Sequence, residues 1–107
     1  MANRVVVRYK TKPESADANH ALVAAVFEEL AAVDPGGVRY ATLRLADNTF
    51  IHIADIEADP NPLGSIAAFG EFQREIGARC EPGHAPLVQP AELVGEYHTF
   101  EEGFGSV

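Results

Sequence analysis

The sequence predicts an α+β fold in which two helices cover one face of a four-stranded antiparallel sheet. Three observations lead to this prediction. Four segments are typical of strands, and the first of them alternates strictly at period two. Two other segments repeat apolar residues every three or four positions, which is typical of amphipathic helices. The segments follow the order β-α-β-β-α-β, which right-handed crossovers fold into a ferredoxin-like sandwich.

The first third of the chain predicts a strand followed by a helix. Residues 4–10 alternate, so that Val5, Val7 and Tyr9 share one strand face. Residues 15–33 place apolar side chains at spacings of three and four, as in an amphipathic helix of about five turns. A proline and two glycines then end this helix.

The middle of the chain predicts a β-hairpin between residues 38–45 and 49–56. Aspartate and asparagine tolerate left-handed backbone, so the residues between the two strands suit a tight turn. A two-residue turn would place Tyr40 opposite Asp55. A β-bulge would shift this pairing by one residue and invert the faces of the strand.

The last part of the chain predicts a helix, a loop and a strand. The second helix begins at a capping asparagine and Pro62 and runs to about residue 79. Residues 80–91 contain three prolines and are expected to form a loop, and residues 92–100 form the last strand. We assign residues 1–107 to one domain, with its core at 4–100 and a flexible tail at 101–107. The predicted strand order is 4-1-3-2.

Composition narrows the classes of function. The formal net charge is −8, which disfavours nucleic acid and anionic membranes as partners. No apolar stretch is long enough to span a membrane. The single cysteine, Cys80, fits a reducing cytoplasm. Cys80 and His84 resemble half of a metal site, but there is no second Cys/His pair at zinc spacing and no glycine-rich phosphate loop. We therefore expect no metal and no nucleotide cofactor.

Two histidines are the candidate catalytic groups. His52 lies mid-strand among apolar residues, and an imidazole that faces a cavity can act as a general base near neutral pH. His98 lies in the predicted last strand, beside the first strand. The alternatives are a hydrogen-bonded core histidine for His52 and a surface residue for His98. Phe69 and Phe72 are expected in the core or in the wall of a pocket.

Polar strand residues are the candidates for substrate binding. Tyr40 and Arg44 share one strand face, and with Asp55 opposite they would orient an oxygenated substrate. Arg8, on the first strand between other cations, would favour an anionic or enolate-like ligand. The alternatives are an ordinary cross-strand polar set and a solvated strand face.

The chain resembles the dimeric α/β-barrel superfamily, and within it the antibiotic-biosynthesis-monooxygenase-like proteins. The resemblance covers about residues 4–100 and is carried by RVVVRYKTKPE, DPGGVRYATLRL, NTFIHIADIEAD and LVGEYHTF. It implies a homodimer whose sheets pack face to face, with the helices outside and a cavity beside the sheet. A sheet covered on one face only agrees with this, since its other face must meet water or a partner.

The resemblance also implies an activity, with one exclusion. Haem-degrading members use a tryptophan, and this chain has none, so we reject haem degradation. What remains is a cofactor-independent monooxygenase acting on a small aromatic or polyketide-like molecule. In that reaction His52 or His98 would remove a proton, Tyr40 would position the substrate, and Arg8 or Arg44 would stabilise an oxyanion. The alternatives are a non-catalytic ligand-binding or scaffolding dimer, and an isomerase or cyclase of the same superfamily.

Overall fold

The computed structural model describes residues 3–100 and confirms the ferredoxin-like α+β fold. The elements are β1 (Asn3–Lys10), α1 (Ala16–Val33), β2 (Val38–Arg44), β3 (Thr49–Ile56), α2 (Ala67–Gln73), a short α3 (Ile76–Arg79) and β4 (Leu87–Pro90). All neighbouring strands are antiparallel, and their order β2-β3-β1-β4 is the predicted order. Two main helices, α1 and α2, pack together on one face of the sheet.

The last strand is not where the sequence predicts it. Strand β4 lies at Leu87–Pro90, inside the expected loop, and pairs with β1 so that Val88 faces Val7. The predicted strand at 92–100 is instead an exposed segment without strand structure. The prolines in this segment predicted a loop, but β4 is an edge strand, and an edge strand tolerates Pro90. The predicted tail at 101–107 lies outside the described residues.

The hairpin register differs by one residue from the two-residue-turn prediction. Thr42, not Leu43, lies opposite His52, and Arg39, not Tyr40, lies opposite Asp55. The loop has three residues instead of two and ends on Asn48, whose φ is +69°. A type I turn followed by a left-handed residue is the usual geometry for such a loop. This shift places Tyr40 on the helix-covered face and Asp55 on the opposite one.

The second predicted helix is broken into shorter pieces. Asn61 caps its start as expected, with Oδ1 accepting from the Leu63 N–H at 2.9 Å, but a 3-10 turn follows. Helix α2 then ends before Glu75, whose left-handed backbone separates it from α3. The start of α2 is capped by Glu29 of α1, which accepts from the N–H groups of Ala67 and Ala68 at 3.1 and 2.8 Å. This contact holds α2 against α1.

The two faces of the sheet have different surroundings. The core lies between the sheet and the helices and includes Tyr9, Phe50 and Val26, which are fully buried. The opposite face, called here the open face, carries half-buried aliphatic side chains including Ile51 and Ile53. Among residues 3–100, no helix combines the length and the apolar character that crossing a membrane requires.

Candidate functional site

A cavity of about 480 Å³ lies between the covered face of the sheet and helices α2 and α3. Its volume falls within the range of small-molecule sites. Apolar residues from β1, β3, β4 and α2 form most of its wall. Its polar lining is provided chiefly by Tyr9, Tyr40, His52 and Gln73. We call it the sheet cavity.

His52 is the centre of a buried polar cluster beside this cavity. It is 3% exposed, and both of its ring nitrogens have hydroxyl partners. Nε2 lies 2.8 Å from the Tyr9 hydroxyl, while Nδ1 lies 2.5 Å from the Tyr40 hydroxyl and 3.0 Å from Thr42 Oγ1. The strand register produces this arrangement, because Thr42 lies directly opposite His52 and Tyr40 lies two residues further along β2.

The cluster continues through Tyr9 to the helices. Asn19 of α1 is fully buried and donates from Nδ2 to the Tyr9 hydroxyl at 2.9 Å. The Arg79 Nε–H donates to Asn19 Oδ1, also at 2.9 Å. Arg79 also donates to the backbone carbonyls of Phe72 and Arg74. One continuous set of hydrogen bonds therefore links α1, α2 and α3 to the middle of the sheet.

Burial keeps His52 and the two phenols of the cluster neutral. Desolvation lowers the pKa of His52 to about 4, so its imidazole is uncharged at neutral pH. Desolvation also raises the pKa of Tyr40 to about 12 and raises that of Tyr9. Both phenols therefore remain protonated at neutral pH. The site can donate and accept hydrogen bonds, but the groups bordering the cavity carry no charge.

Aromatic rings surround the histidine. The Phe72 ring centroid lies 5.2 Å from that of His52, and the Phe69 ring lies edge-on to Tyr40 at 6.4 Å. Phe69 and Phe72 both line the sheet cavity. This agrees with the second of their two predicted locations, the wall of a pocket. Such rings favour flat apolar ligands through stacked or edge-on contacts.

Arg44 shares the covered face with Tyr40 but lies at a different site. Its guanidinium contacts Nδ1 of His20 at 3.1 Å, Asn48 Oδ1 at 3.1 Å and Asp17 at 3.2 Å. It lines a groove of about 570 Å³ between α1 and β2. The structure therefore does not bring Arg44 into the sheet cavity.

Arg8 and Asp55 lie on the open face, away from His52. Asp55 forms a two-pronged ion pair with Arg4, which holds the pKa of the Asp55 carboxyl below its usual value. Arg8 is exposed and lines a separate depression of about 270 Å³ beside Lys10. The predicted set of Tyr40, Arg44 and Asp55 is thus divided among three places. The one-residue difference in register moves Asp55 to the other face, whereas Arg44 lies beyond the cavity on the same face as Tyr40.

His98 does not lie on a strand. It belongs to the exposed segment after β4, has a left-handed backbone, and stacks edge-on against Tyr97 with ring centroids 4.4 Å apart. It does not line the sheet cavity. The expectation of a strand-borne His98 beside β1 is therefore wrong, since β4 occupies that edge of the sheet.

Sequence reasoning did not identify Asn19, Thr42 and Arg79 as members of the site. A signal for Asn19 was present, because it lies four residues before Val23 on the apolar side of α1. A polar residue on an apolar helix face needs a buried hydrogen-bond partner. Arg79 and Thr42 had no comparable signal, since their roles depend on the helix break and on the hairpin register.

Cys80 is a free, buried thiol, and His84 is exposed. Within residues 3–100, no group of three or more His, Cys, Asp or Glu side chains is arranged to hold a metal ion.

No protein-family profile and no curated protein matches this chain. Solved structures do share its fold. A protein from Caulobacter crescentus, described as a candidate antibiotic biosynthesis monooxygenase, has a TM-score of 0.68 at 16% identity over 88% of this chain and 91% of its own. A protein of the same description from Bordetella bronchiseptica has a TM-score of 0.59 at 20% identity, over 87% and 97%.

A third structure, from Mycobacterium tuberculosis, has a TM-score of 0.66 at 17% identity over 90% of this chain and 98% of its own. At such identities the likeness establishes a common fold. The predicted resemblance to antibiotic-biosynthesis-monooxygenase-like proteins is therefore confirmed as a shared architecture.

Proposed function

We propose that the sheet cavity is the active site of a monooxygenase-like protein that oxidises a small aromatic or polyketide-like molecule without a resident cofactor. The observation that carries the proposal is the cavity itself, about 480 Å³ of mostly apolar space whose hydrogen-bonding groups carry no charge. The names of the solved structures with the same fold agree with this chemistry.

The reaction we propose needs only the substrate and molecular oxygen as reactants. An aromatic ketone with an acidic CH₂ group loses a proton to water and becomes an enolate. Molecular oxygen then converts the CH₂ group to a carbonyl, CH₂ + O₂ → C=O + H₂O, so the substrate supplies four electrons and O₂ accepts them. The protein contributes a dry cavity and a donor for the enolate oxygen.

Tyr40 is the donor in this proposal. It lines the cavity, and its raised pKa keeps the hydroxyl protonated. His52 has a different role from the one predicted, because hydroxyl groups occupy both of its ring nitrogens. It holds Tyr40 in place instead of taking the substrate proton directly. Arg8 and Arg44 lie elsewhere, so Tyr40 replaces them as the group that stabilises the oxyanion.

Oxidation of anthrone, a tricyclic ketone with one CH₂ group, tests the proposal. Protein treated with EDTA should consume one O₂ for each anthrone that becomes quinone. Tyr40→Phe should lower the rate roughly a hundredfold, as losing one oxyanion donor does. Tyr97→Phe, at an exposed tyrosine, is the matched control and should leave the rate unchanged. Oxidation no faster than in buffer would overturn the catalytic proposal.

A second candidate is binding of the same ligand class without turnover. The occupied ring nitrogens of His52 favour it, because the cavity then contains no free base. Saturable binding of anthrone in the absence of O₂ consumption would identify this function. Binding can be followed by chemical-shift changes at residues of the sheet cavity.

We propose also that a second copy of the chain covers the open face, giving the dimeric α/β barrel that the resemblance implies. This face presents half-buried Val6, Ile51 and Ile53. Its charged residues are Arg4, Arg8, Lys10, Arg39 and Asp55. Like charges that face each other cost energy, so the aliphatic side chains are the part of the face that carries the proposed contact. Light scattering should give a mass near twice 11.5 kDa, and Ile53→Glu should halve it. A mass of 11.5 kDa at all concentrations would overturn the dimer.

The cytoplasm is the compartment we propose. Cys80 is free and buried, and a reducing compartment preserves such a thiol. Fractionation of cells that express the whole chain tests this, and recovery only from an oxidising compartment would contradict it.

A further inference from the structure

The hydrogen bonds around His52 have a direction, and Arg79 sets it. A guanidinium is always charged and can only donate. Its Nε–H points at Asn19, and its other donors reach the carbonyls of Phe72 and Arg74 at 2.5 and 3.0 Å. The Asn19 atom that faces Arg79 must therefore be the amide oxygen, whichever way the amide is first assigned.

The orientation of the Asn19 amide determines which way the Tyr9 hydroxyl hydrogen points. With its oxygen toward Arg79, the amide presents its NH₂ group to the Tyr9 hydroxyl at 2.9 Å. The Tyr9 oxygen accepts that bond, and among its two described partners only Nε2 of His52, 2.8 Å away, can accept the Tyr9 hydrogen, which therefore points at it. Every buried side-chain nitrogen and oxygen in residues 3–100 has a partner, so no unsatisfied group competes for these hydrogens.

The tautomer of His52 in turn determines whether Tyr40 donates to it or accepts from it. A neutral imidazole that accepts at Nε2 carries its hydrogen on Nδ1. That hydrogen lies between the Tyr40 and Thr42 oxygens, at 2.5 and 3.0 Å from the nitrogen. Tyr40 therefore cannot donate to His52, and its hydroxyl hydrogen is available to Thr42 or to a ligand in the sheet cavity.

We propose that Asn19 and Arg79 are positioning residues that make Tyr40 a hydrogen-bond donor to the cavity, and that its ligands are aromatic molecules carrying an acceptor oxygen, such as a ketone or phenolate, at the edge that meets Tyr40. The inference rests on the proposed function insofar as the cavity takes an aromatic molecule. The direction of the hydrogen bonds can be tested with no ligand present.

The first measurement is the tautomer of His52. Long-range nitrogen–proton NMR spectra of the whole chain with ¹⁵N-labelled histidine distinguish the protonated ring nitrogen from the bare one. We expect the hydrogen on Nδ1 at neutral pH. A hydrogen on Nε2 would overturn the proposal, whatever the cavity binds.

Asn19→Asp is the decisive variant, because the introduced carboxylate can only accept. It keeps the bond to Arg79 as an ion pair, so the fold is retained, but Tyr9 now donates to the carboxylate. Nε2 of His52 then donates to the Tyr9 oxygen, and Nδ1 accepts from Tyr40. We expect the His52 hydrogen to move from Nδ1 to Nε2.

Asn3→Asp is the matched control for this variant. It makes the same chemical change at an exposed asparagine, at the start of β1, that does not line the sheet cavity. The added charge there meets water and leaves the bonds between Asn19, Tyr9 and His52 as they are. We therefore expect the His52 hydrogen to stay on Nδ1, and a shift in both variants would mean that added charge alone moves it.

The ligand class is tested with a matched pair, methyl naphthyl ketone and isopropenyl naphthalene, in which C=O is replaced by C=CH₂. One added hydrogen bond should make the wild-type protein bind the ketone about fivefold more tightly. Asn19→Asp should remove the difference, because Tyr40 then donates its hydrogen to His52, whereas Asn3→Asp should preserve it. Equal binding by the wild-type protein would overturn the acceptor-bearing ligand class.

The two proposals fail in different ways. If neither naphthalene binds, the aromatic-ligand function is overturned, and the ligand class inferred from it with it. The His52 tautomer then still decides the positioning roles of Asn19 and Arg79. If both bind equally and the tautomer is as expected, the cavity is an aromatic site whose ligands do not use Tyr40.

Discussion

Strand β3 carries two titratable side chains, His52 and Asp55, on opposite faces of the same sheet. On the covered face, His52 is surrounded by hydroxyl groups and aromatic rings, and burial lowers its pKa to about 4 and keeps it neutral. On the open face, Asp55 pairs with Arg4, whose side chain is 26% exposed, and its carboxyl pKa falls so that it stays charged. Two residues only three positions apart on one strand are therefore held in opposite charge states, His52 neutral and Asp55 charged.

The difference indicates what each face can recognise. Desolvation dominates on the covered face, so neutral donors and acceptors are what it offers a ligand. Solvent and ion pairing dominate on the open face, so it offers charge and aliphatic surface to a partner. A single sheet therefore separates the proposed small-molecule site from the proposed interaction surface without a second domain.

The largest expected effect comes from neighbouring residues on the two faces. Phe50 is 1% exposed in the core, and Phe50→Ala should lower the free energy of unfolding by about 3–5 kcal/mol. Ile51→Ala, on the open face, should cost about 1 kcal/mol in a dilute single chain, since its side chain is only half-buried.

Urea unfolding at several protein concentrations checks this pair. A second copy on the open face would make the Ile51→Ala loss grow with concentration, while the Phe50→Ala loss stays constant. A larger loss for Ile51→Ala than for Phe50→Ala in the most dilute sample would contradict the assignment of the faces.

A pH titration should reveal the buried histidine. The pKa of His52 is lowered in the folded state, from 6.5 to about 4, so the unfolded chain takes up its proton first as the pH falls. The contribution of neutral His52 to the free energy of unfolding is complete above pH 6.5. It is lost by about pH 4, and the total loss is about 3 kcal/mol. Denaturation midpoints across that window should fall less steeply in His52→Gln than in the exposed-site control His84→Gln. Parallel slopes would mean that His52 is not buried as a neutral group.

Removing one hydroxyl from the cluster should lower the free energy of unfolding by less than the loss expected from protonating His52. Tyr9→Phe leaves Asn19 Nδ2 and His52 Nε2 without partners, so a loss of about 2 kcal/mol is expected. Tyr40→Phe should cost less than that, because Thr42 still reaches Nδ1. Thermal or urea unfolding orders the two variants, and the reverse order would be incompatible with the described contacts.

The smallest effect is expected at the open-face ion pair. Asp55→Asn should cost about 1 kcal/mol or less, because solvent screens a pair in which Arg4 remains partly exposed. A double-mutant cycle with Arg4→Gln measures the coupling. Since the pKa of Asp55 is lowered, its contribution is present above its ordinary pKa and is lost only as the pH falls through the lower value. A coupling of several kcal/mol would show that this face is desolvated.

Much of the fold could be predicted because it depends on local patterns. Alternation identifies β1 and β3, and the spacing of apolar residues identifies α1, because side-chain direction repeats every two residues in a strand and every 3.6 in a helix. The position of β4 could not be predicted, because its prolines are tolerated only on a sheet edge. The break at Glu75 could not be predicted, because its left-handed backbone occurs at a residue that is neither glycine nor asparagine.

The site was predictable only in part, for the same reason. His52, Tyr40, Phe69 and Phe72 were identified as candidates, and they do line one cavity. Arg44 was misplaced because a strand face continues past the cavity to the sheet edge. Asp55 was misplaced because residues across a hairpin depend on loop length, and one residue reverses the face.

That loop, which ends on Asn48, has a consequence for how chains of this fold diversify. Both rows of side chains on β2 are already encoded, and the length of the turn decides which row meets the histidine. Deleting one residue here while the turn keeps its three-residue geometry would draw Leu45 into the turn and shift the pairing by one. Tyr40 and Thr42 would then be exchanged for neighbours of the other row, including Arg39, without a single substitution in any strand. Insertions and deletions in this turn can therefore change the residues that line the cavity in the course of evolution.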